Sequence, residues 1–269
     1  MNKLLAFAFA SLAATSMTCS CGSNGANKSD NKDTLTFDSV VVDTVATLID
    51  GKDTPSCDVK ISFAFAKGKN AATINQAIIK SGVLTPEYLR GMDKCTDMEV
   101  LVDTFVTRFI SDYKATFAPL YEADREAQTL CSTYSVSHKI EQGRGDIIVY
   151  TAETYQYAGG AHGSYQTLVS NIDPKKGCVV TIKDLLVPGG ETKMKEMIVE
   201  KMERMASVKD FKSLQEKGYF MDMEAYIPDN FILGKKEITF VYNSDEIAPH
   251  AWGEIRVSFS YDDLSKILK

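Results

Sequence analysis

The chain lacks the short motifs that mark the commonest chemistries. It has no CxxC pair, no HExxH, no P-loop, no GxGxxG and no GxSxG nucleophile elbow. Those absences remove zinc knuckles, thioredoxin-like redox sites, zincins, phosphate-cradling loops and serine hydrolases of the elbow type. Histidine is scarce: three residues, His138, His162 and His250, far apart in sequence. Basic clusters are lacking as well. Lys and Arg total 30 against 36 Asp and Glu, a formal net charge of −6. Nucleic-acid binding needs clustered positive charge, so no nucleic-acid partner is expected. No cofactor and no metal site is expected, and no catalytic residue is assigned.

Long hydrophobic runs are also missing. The longest, from Leu4 to Met17, follows Lys3 and is broken only by small Ser and Thr residues. A spanning helix needs about 20 apolar residues. The run has instead the charge, apolar centre and small-residue exit of a secretory leader. It leads straight into Cys19 and Cys21, which predicts lipoprotein processing over residues 1–21. Ser20 before Cys21 makes Cys21 the lipidation residue, with Cys19 as the alternative. Acyl chains on that thiol anchor the chain, each buried CH₂ contributing about 0.8 kcal/mol. Residues 22–34 hold no apolar side chain large enough to pack and read as a flexible tether. Removing the leader takes away Lys3 and no acid, so the charge of −6 becomes −7.

Four cysteines follow the leader: Cys57, Cys95, Cys131 and Cys178. Outside the cytoplasm they can form bridges or remain as buried thiols, and spacing does not choose between these.

The remaining chain reads as α+β, with largely antiparallel sheets, packed helices and two subdomains, 35–130 and 131–269. Residues 35–49 and 58–65 alternate as strands around the turn-rich DGKDTPS. AATINQAIIKSG predicts a short amphipathic helix closed by Gly82. Thr96 and Glu99 have capping-box spacing. Met98, Val102, Phe105, Phe109, Tyr113 and Phe117 then share one helical stripe, which Pro119 should end or kink. From 130 the pattern turns to strands: CSTYSVSHKI, GDIIVYTAETYQYAGG and SYQTLVSNI, then the DPKKG turn and CVVTI. KDLL reads as one helical turn. A helix over 191–206 should bury Met194, Met197, Ile198, Met202 and Met205. Ser207 with Asp210 predicts a cap for a short helix ended by Gly218. KEITFVYN and EIRVSFS close the pattern as strands, before a final helix, DDLSKIL, capped by Asp262.

Three segments carry a resemblance: YAGGAHG at 157–163, NIDPKKGCVVTIKDLL at 171–186 and DEIAPHAWGEIRVSFSYDDL at 245–264. In order and spacing they resemble DUF3298, the RsiV-type C-terminal domain. The strand pair and the INQAI segment of 35–130 resemble its usual companion, the DUF4163 or PdaC-like domain. The resemblance implies an extracytoplasmic module without established catalysis. In one branch such a module is the outer part of an anti-sigma factor and binds lysozyme. In another it accompanies a separate polysaccharide deacetylase domain.

The candidate binding residues lie in two loops. Gly160 and Gly163 flank His162, giving the backbone freedom for a tight turn. His162 can serve as ligand, base or pH switch, or simply cap backbone carbonyls in a hairpin. Pro249, His250 and Trp252, with Gly253, shape the second loop. Asp245, Glu246 and Glu254 are solvated loop acids unless the fold pairs them. His138 reads as a half-buried strand residue. These features point to a non-catalytic envelope lipoprotein, held at a membrane by its anchor. The expected place is the outer membrane, facing the periplasm or the surface. Its partner would be a protein, such as a lysozyme, or a cell-wall glycan. The alternatives are an envelope hydrolase acting on a polysaccharide, which requires His162 and His250 to share a cleft, and a structural assembly lipoprotein.

Overall fold

A computed structural model of the chain describes residues 34–125 and 130–269. The leader, Cys19, Cys21 and nearly all of the 22–34 tether lie outside the described residues. The fold is α+β, with one six-stranded and one three-stranded sheet.

The large sheet runs β1-β2-β3-β4-β5-β6 in both chain order and spatial order. Its strands are β1 (Thr36–Thr47), β2 (Ser56–Lys67), β3 (Ser132–Gln142), β4 (Ile148–Tyr157), β5 (Ser164–Asp173) and β6 (Cys178–Val180). Neighbours are antiparallel except β2 and β3, which pair in parallel from Cys57↔Ser132 to Ile61↔Val136. A parallel pair needs a long crossover. Here it carries α1 (Ala71–Lys80) and α2 (Met98–Ala123).

Both helices cover one face of that sheet. The core there joins Val59, Ile61 and Phe63 of β2 to Ile74 and Ile78 of α1 and to Val102, Phe105 and Phe109 of α2. Phe105 and Phe109 pack on Tyr134 with centroids 4.8 and 5.1 Å away. The cap of α2 falls one residue later than the capping-box reading. Asp97, not Thr96, is the N-cap, and its carboxylate accepts the Glu99 and Val100 amides. Two cap-competent residues stand side by side, and the carboxylate also complements the helix dipole. The helix continues through Pro119 to Ala123 rather than ending there.

The second core lies under the small sheet of β7 (Phe231–Leu233), β8 (Glu237–Tyr242) and β9 (Ile255–Ser260). α3 (Ile182–Leu185), α4 (Gly190–Ala206) and α5 (Phe211–Glu216) precede it. Met194, Ile198 and Met202 of α4 are buried against Ile238, Phe240 and Phe259. Met205 is not part of that face and is 54% exposed, while Ala206 at the end of α4 packs against the core. Ser207 closes α4 in a left-handed conformation, φ 54°, while Asp210 alone caps α5. The final DDLSKIL forms turns rather than a regular helix. Asp263, not Asp262, holds its start by accepting the amide and hydroxyl of Ser260.

Asparagines join the two units. β6 pairs only with the end of β5, which leaves the amides and carbonyls of the earlier part of β5 without a strand beside them. Asn230 fills that edge: its Oδ1 accepts from Val169 N and its Nδ2 donates to Thr167 O, at 2.9 and 2.7 Å. Asn243 Oδ1 accepts from Thr167 N at 2.7 Å. Asn171 reaches the other way, to Phe231 O and Leu233 N, at 2.7 and 2.8 Å. Side-chain amides thus satisfy backbone groups that would otherwise template another strand.

Candidate functional site

Among the described residues, one face of the large sheet carries no helix. Strand alternation puts Val41, Asp43 and Val45 on it from β1, and Asp58, Lys60 and Ser62 from β2. β3 adds Ser135 and Ser137, β4 adds Glu153 and Tyr155, and β5 adds Tyr165 and Thr167. Val41, Val45 and Tyr165 are 40%, 59% and 65% exposed, unusual for apolar and aromatic residues inside strands.

Two cavities run together along this face. The larger, about 370 Å³, lies between Asp43, Lys60, Ser135, Ser137, Tyr155 and Tyr165. The smaller, about 220 Å³, continues past Glu153 and Tyr165 to Ser244, His250 and Glu254. Glu153, Thr154 and Tyr165 line both. The result is one extended groove, crossing several strands and ending at the loop that precedes β9.

The end of the groove is where the two sequence-predicted loops meet. The first is the β4–β5 hairpin loop, 158–163. Gly159 and Gly160 have φ of 82° and 97°, and the Tyr157 hydroxyl donates to Gly160 O at 3.0 Å. Gly163 lies against the ring of Tyr155, with no room for a side chain. That packing sets Tyr155 beside Tyr165, centroids 4.4 Å apart. His162 is exposed, with Nδ1 at 3.3 Å from Gly163 O.

The second loop, 243–253, brings His250 over His162. Their rings stack with centroids 3.9 Å apart and an interplanar angle of 21°. His250 Nδ1 lies 2.8 Å from Asp245 Oδ2 and 3.3 Å from Ser244 Oγ. Asp245 takes a left-handed backbone, φ 66°, to present its carboxylate there. Pro249 packs near Gly218, and Trp252, 45% exposed, meets the edge of Tyr219 at 4.6 Å. The remaining loop acids have other duties. Glu246 accepts from the Tyr226 hydroxyl at 2.6 Å and from Asn243 N at 2.7 Å, fixing the loop. Burial, then the bond to Glu246, pushes the Tyr226 phenol well above its ordinary range. Glu254 pairs with Arg256 at 2.5 Å. His138 is half-buried and bonded to Ser62, away from the other two imidazoles.

Sequence reasoning singled out Gly160, His162, Gly163, Pro249, His250 and Trp252, and the fold brings these loops to one end of the groove. It missed Glu153, Tyr155 and Tyr165. The available signal was the period-two placement of Tyr155, Tyr157 and Tyr165 around the glycine turn. A further cavity of about 380 Å³ lies between α1 and the loop leading into α2. Three of its polar side chains are spent internally: Asn75 bonds Ala66, Gln76 bonds Asp93 O and Cys95 bonds Asp97 O. Among the described residues, no group of three His, Cys, Asp or Glu is placed to hold a metal ion. Cys57, Cys95, Cys131 and Cys178 are free thiols.

Residues 183–262 match the model of a family described as protein of unknown function (DUF3298). The fold is similar to the crystal structure of a DUF3298 family member from Bacteroides fragilis NCTC 9343. That likeness has a TM-score of 0.75 and 22% identity, over 89% of this chain and 96% of that one. It is also similar to a DUF3298 family protein from Pseudomonas aeruginosa PAO1, with TM-score 0.55 and 16% identity, over 88% and 96% of the two chains. No curated protein matches the chain.

Proposed function

We propose that this protein is a cell-envelope lipoprotein and that it binds an extended ligand along the open face of its large sheet. The leader and Cys21 support the anchoring, and the strand pair of 35–67 supports the DUF4163-like reading of the N-terminal part. The observation that carries the binding role is the continuous groove from Asp43 to His250, with Tyr155 and Tyr165 at its centre. Binding sites combine apolar or aromatic walls with a few placed polar groups. Tyrosine offers both in one rigid side chain. Hydroxyls from Ser135, Ser137 and Thr167 flank the two rings. Flat rings beside hydroxyls suit a cell-wall glycan strand better than a folded protein surface. A lysozyme-like protein is the competing partner.

Titration of the mature protein with soluble cell-wall glycan fragments and with purified lysozymes tests the reading. Saturable glycan binding that Tyr165→Ala abolishes supports it. Binding only to a lysozyme, or glycan binding indifferent to Tyr165→Ala, overturns the groove assignment.

One observation favours the hydrolase alternative. The rings of His162 and His250 stack at the end of the groove, and His250 is held by Asp245 through Nδ1. A neutral imidazole donating Nδ1–H to Asp245 would leave Nε2 as an acceptor, the arrangement of an oriented general base. Release of reducing ends from the same glycan, lost in His250→Ala, would establish this reading in place of simple binding.

A further inference from the structure

We propose that the groove selects a glycan bearing free amino groups, and that Glu153 is the residue that selects it. This rests on the binding reading above and names the ligand class for that same groove.

The groove carries negative charge left over. The cations near the groove are already matched with acids. Lys60 pairs with Asp58 at 3.1 Å, Lys139 with Glu141 at 2.9 Å and Arg256 with Glu254 at 2.5 Å. The fourth basic group, His250, faces Asp245 at 2.8 Å. Two carboxylates lining the groove have no hydrogen bond or ion pair among the described residues: Asp43 and Glu153. Asp43 feels Lys60 at longer range. Glu153 makes no ion pair: Lys139, diagonal to it on the same face, is matched with Glu141, and His250, which lines the smaller cavity with it, is matched with Asp245. It stands where the two cavities join. Strand pairing sets Glu153 opposite Ser137 on β3 and Thr167 on β5. Tyr155 follows two residues on, on the same face of β4, and Tyr165 lies opposite it.

A ligand that stacks on Tyr155 and Tyr165 therefore brings its next unit over a carboxylate with no partner of its own. A neutral N-acetylated sugar would cover that carboxylate without compensating its charge. An ammonium at the same position gives a charge-assisted hydrogen bond. Anionic polymers would meet Asp43 and Glu153 and be repelled. The neighbouring polar groups, Ser137 and Thr167, suit the hydroxyls on either side of an amino group. A lysine-rich polypeptide would meet the charge but would make little use of the two flat rings.

The test uses the mature protein and its Glu153→Gln variant, which keeps the shape and removes the charge. Binding of a glucosamine hexamer, an N-acetylglucosamine hexamer and hexalysine is measured by calorimetry at low salt. The wild type is expected to prefer the glucosamine hexamer over the acetylated one by about fivefold, a size set by the exposure of Glu153. Glu153→Gln is expected to remove that preference while leaving the acetylated hexamer within about twofold. Equal affinity for both hexamers, an undiminished preference in Glu153→Gln, or hexalysine as the tightest ligand overturns the proposal. If only the selectivity is missing, the groove still binds glycan. If neither hexamer binds, the groove reading falls with it.

Discussion

Gly163 leaves no space between its backbone and the ring of Tyr155: a β-carbon built at 163 would fall 2.3 Å from Cε2. The hairpin loop and the aromatic floor of the groove are thus one packed unit. Gly163→Ala is expected to displace Tyr155 from Tyr165 and weaken oligosaccharide binding about tenfold. The fold should survive, with a cost of about 1–3 kcal/mol, the usual range for overpacking. Calorimetric titration beside a urea melt checks both halves. Unchanged affinity would mean that the Tyr155 ring does not contact the ligand.

The junction of the two sheets gives a stability prediction. Asn171 is 1% exposed and both ends of its amide are used, on Phe231 O and Leu233 N. Asn171→Ala leaves a buried carbonyl and a buried amide unpaired, at a cost of about 2–4 kcal/mol. The midpoint of chemical unfolding should drop accordingly. A change below about 0.5 kcal/mol would show that water replaces the amide, so that the junction is looser than the distances state.

Acid and alkali should each erode stability, for opposite reasons. The Thr181 amide and hydroxyl hold the Asp184 carboxyl below its usual range, and Lys67 does the same for Asp38. The Ser260 hydroxyl and amide act likewise on Asp263. A depressed folded pKa means that this stability is present above about pH 4 and is lost as pH falls through the folded values. Burial raises the phenols of Tyr226 and Tyr242. Their contribution is present below about pH 10 and lost as pH rises beyond it. Unfolding free energy measured across pH should form a plateau that falls on both sides. A flat acid limb in the wild type would contradict the carboxylate assignments.

The four thiols should separate by reactivity. Cys57 is fully buried, and burial pushes its thiol up to about 11. Thiolate is the reactive form. Alkylation at pH 8 should reach Cys95, Cys131 and Cys178 first and leave Cys57 unmodified until denaturant is added. Mass spectrometry of the digested protein reads this directly, and early labelling of Cys57 would contradict the packing around β2.

Much of the fold was legible because alternation and helical stripes are local. The strand pairs β1–β2 and β4–β5 follow from short turns, and the buried stripe of α2 from its 3.6-residue period. The parallel contact between β2 and β3 was not legible, since Cys57 meets Ser132 only through the packing of two intervening helices. β7 was missed because three residues carry too little alternation to stand out from the loop around them. At the site, the glycines and histidines marked two loops, but nothing local says that His162 and His250 stack. Glu153, Tyr155 and Tyr165 were hidden for a related reason. Alternation tells which residues share a face, but not which face the helices leave open.

The three histidines offer the most direct test, since two of them stack at the end of the groove and the third, His138, lines neither cavity and reaches the groove only through its bond to Ser62. Imidazole signals of the ¹³C-labelled protein should be followed during titration with a cell-wall oligosaccharide to saturation. Those of His162 and His250 should move together along one saturation curve, and should stay in place in Tyr165→Ala. Saturable binding with both signals unmoved would place the ligand elsewhere on the molecule and contradict the account.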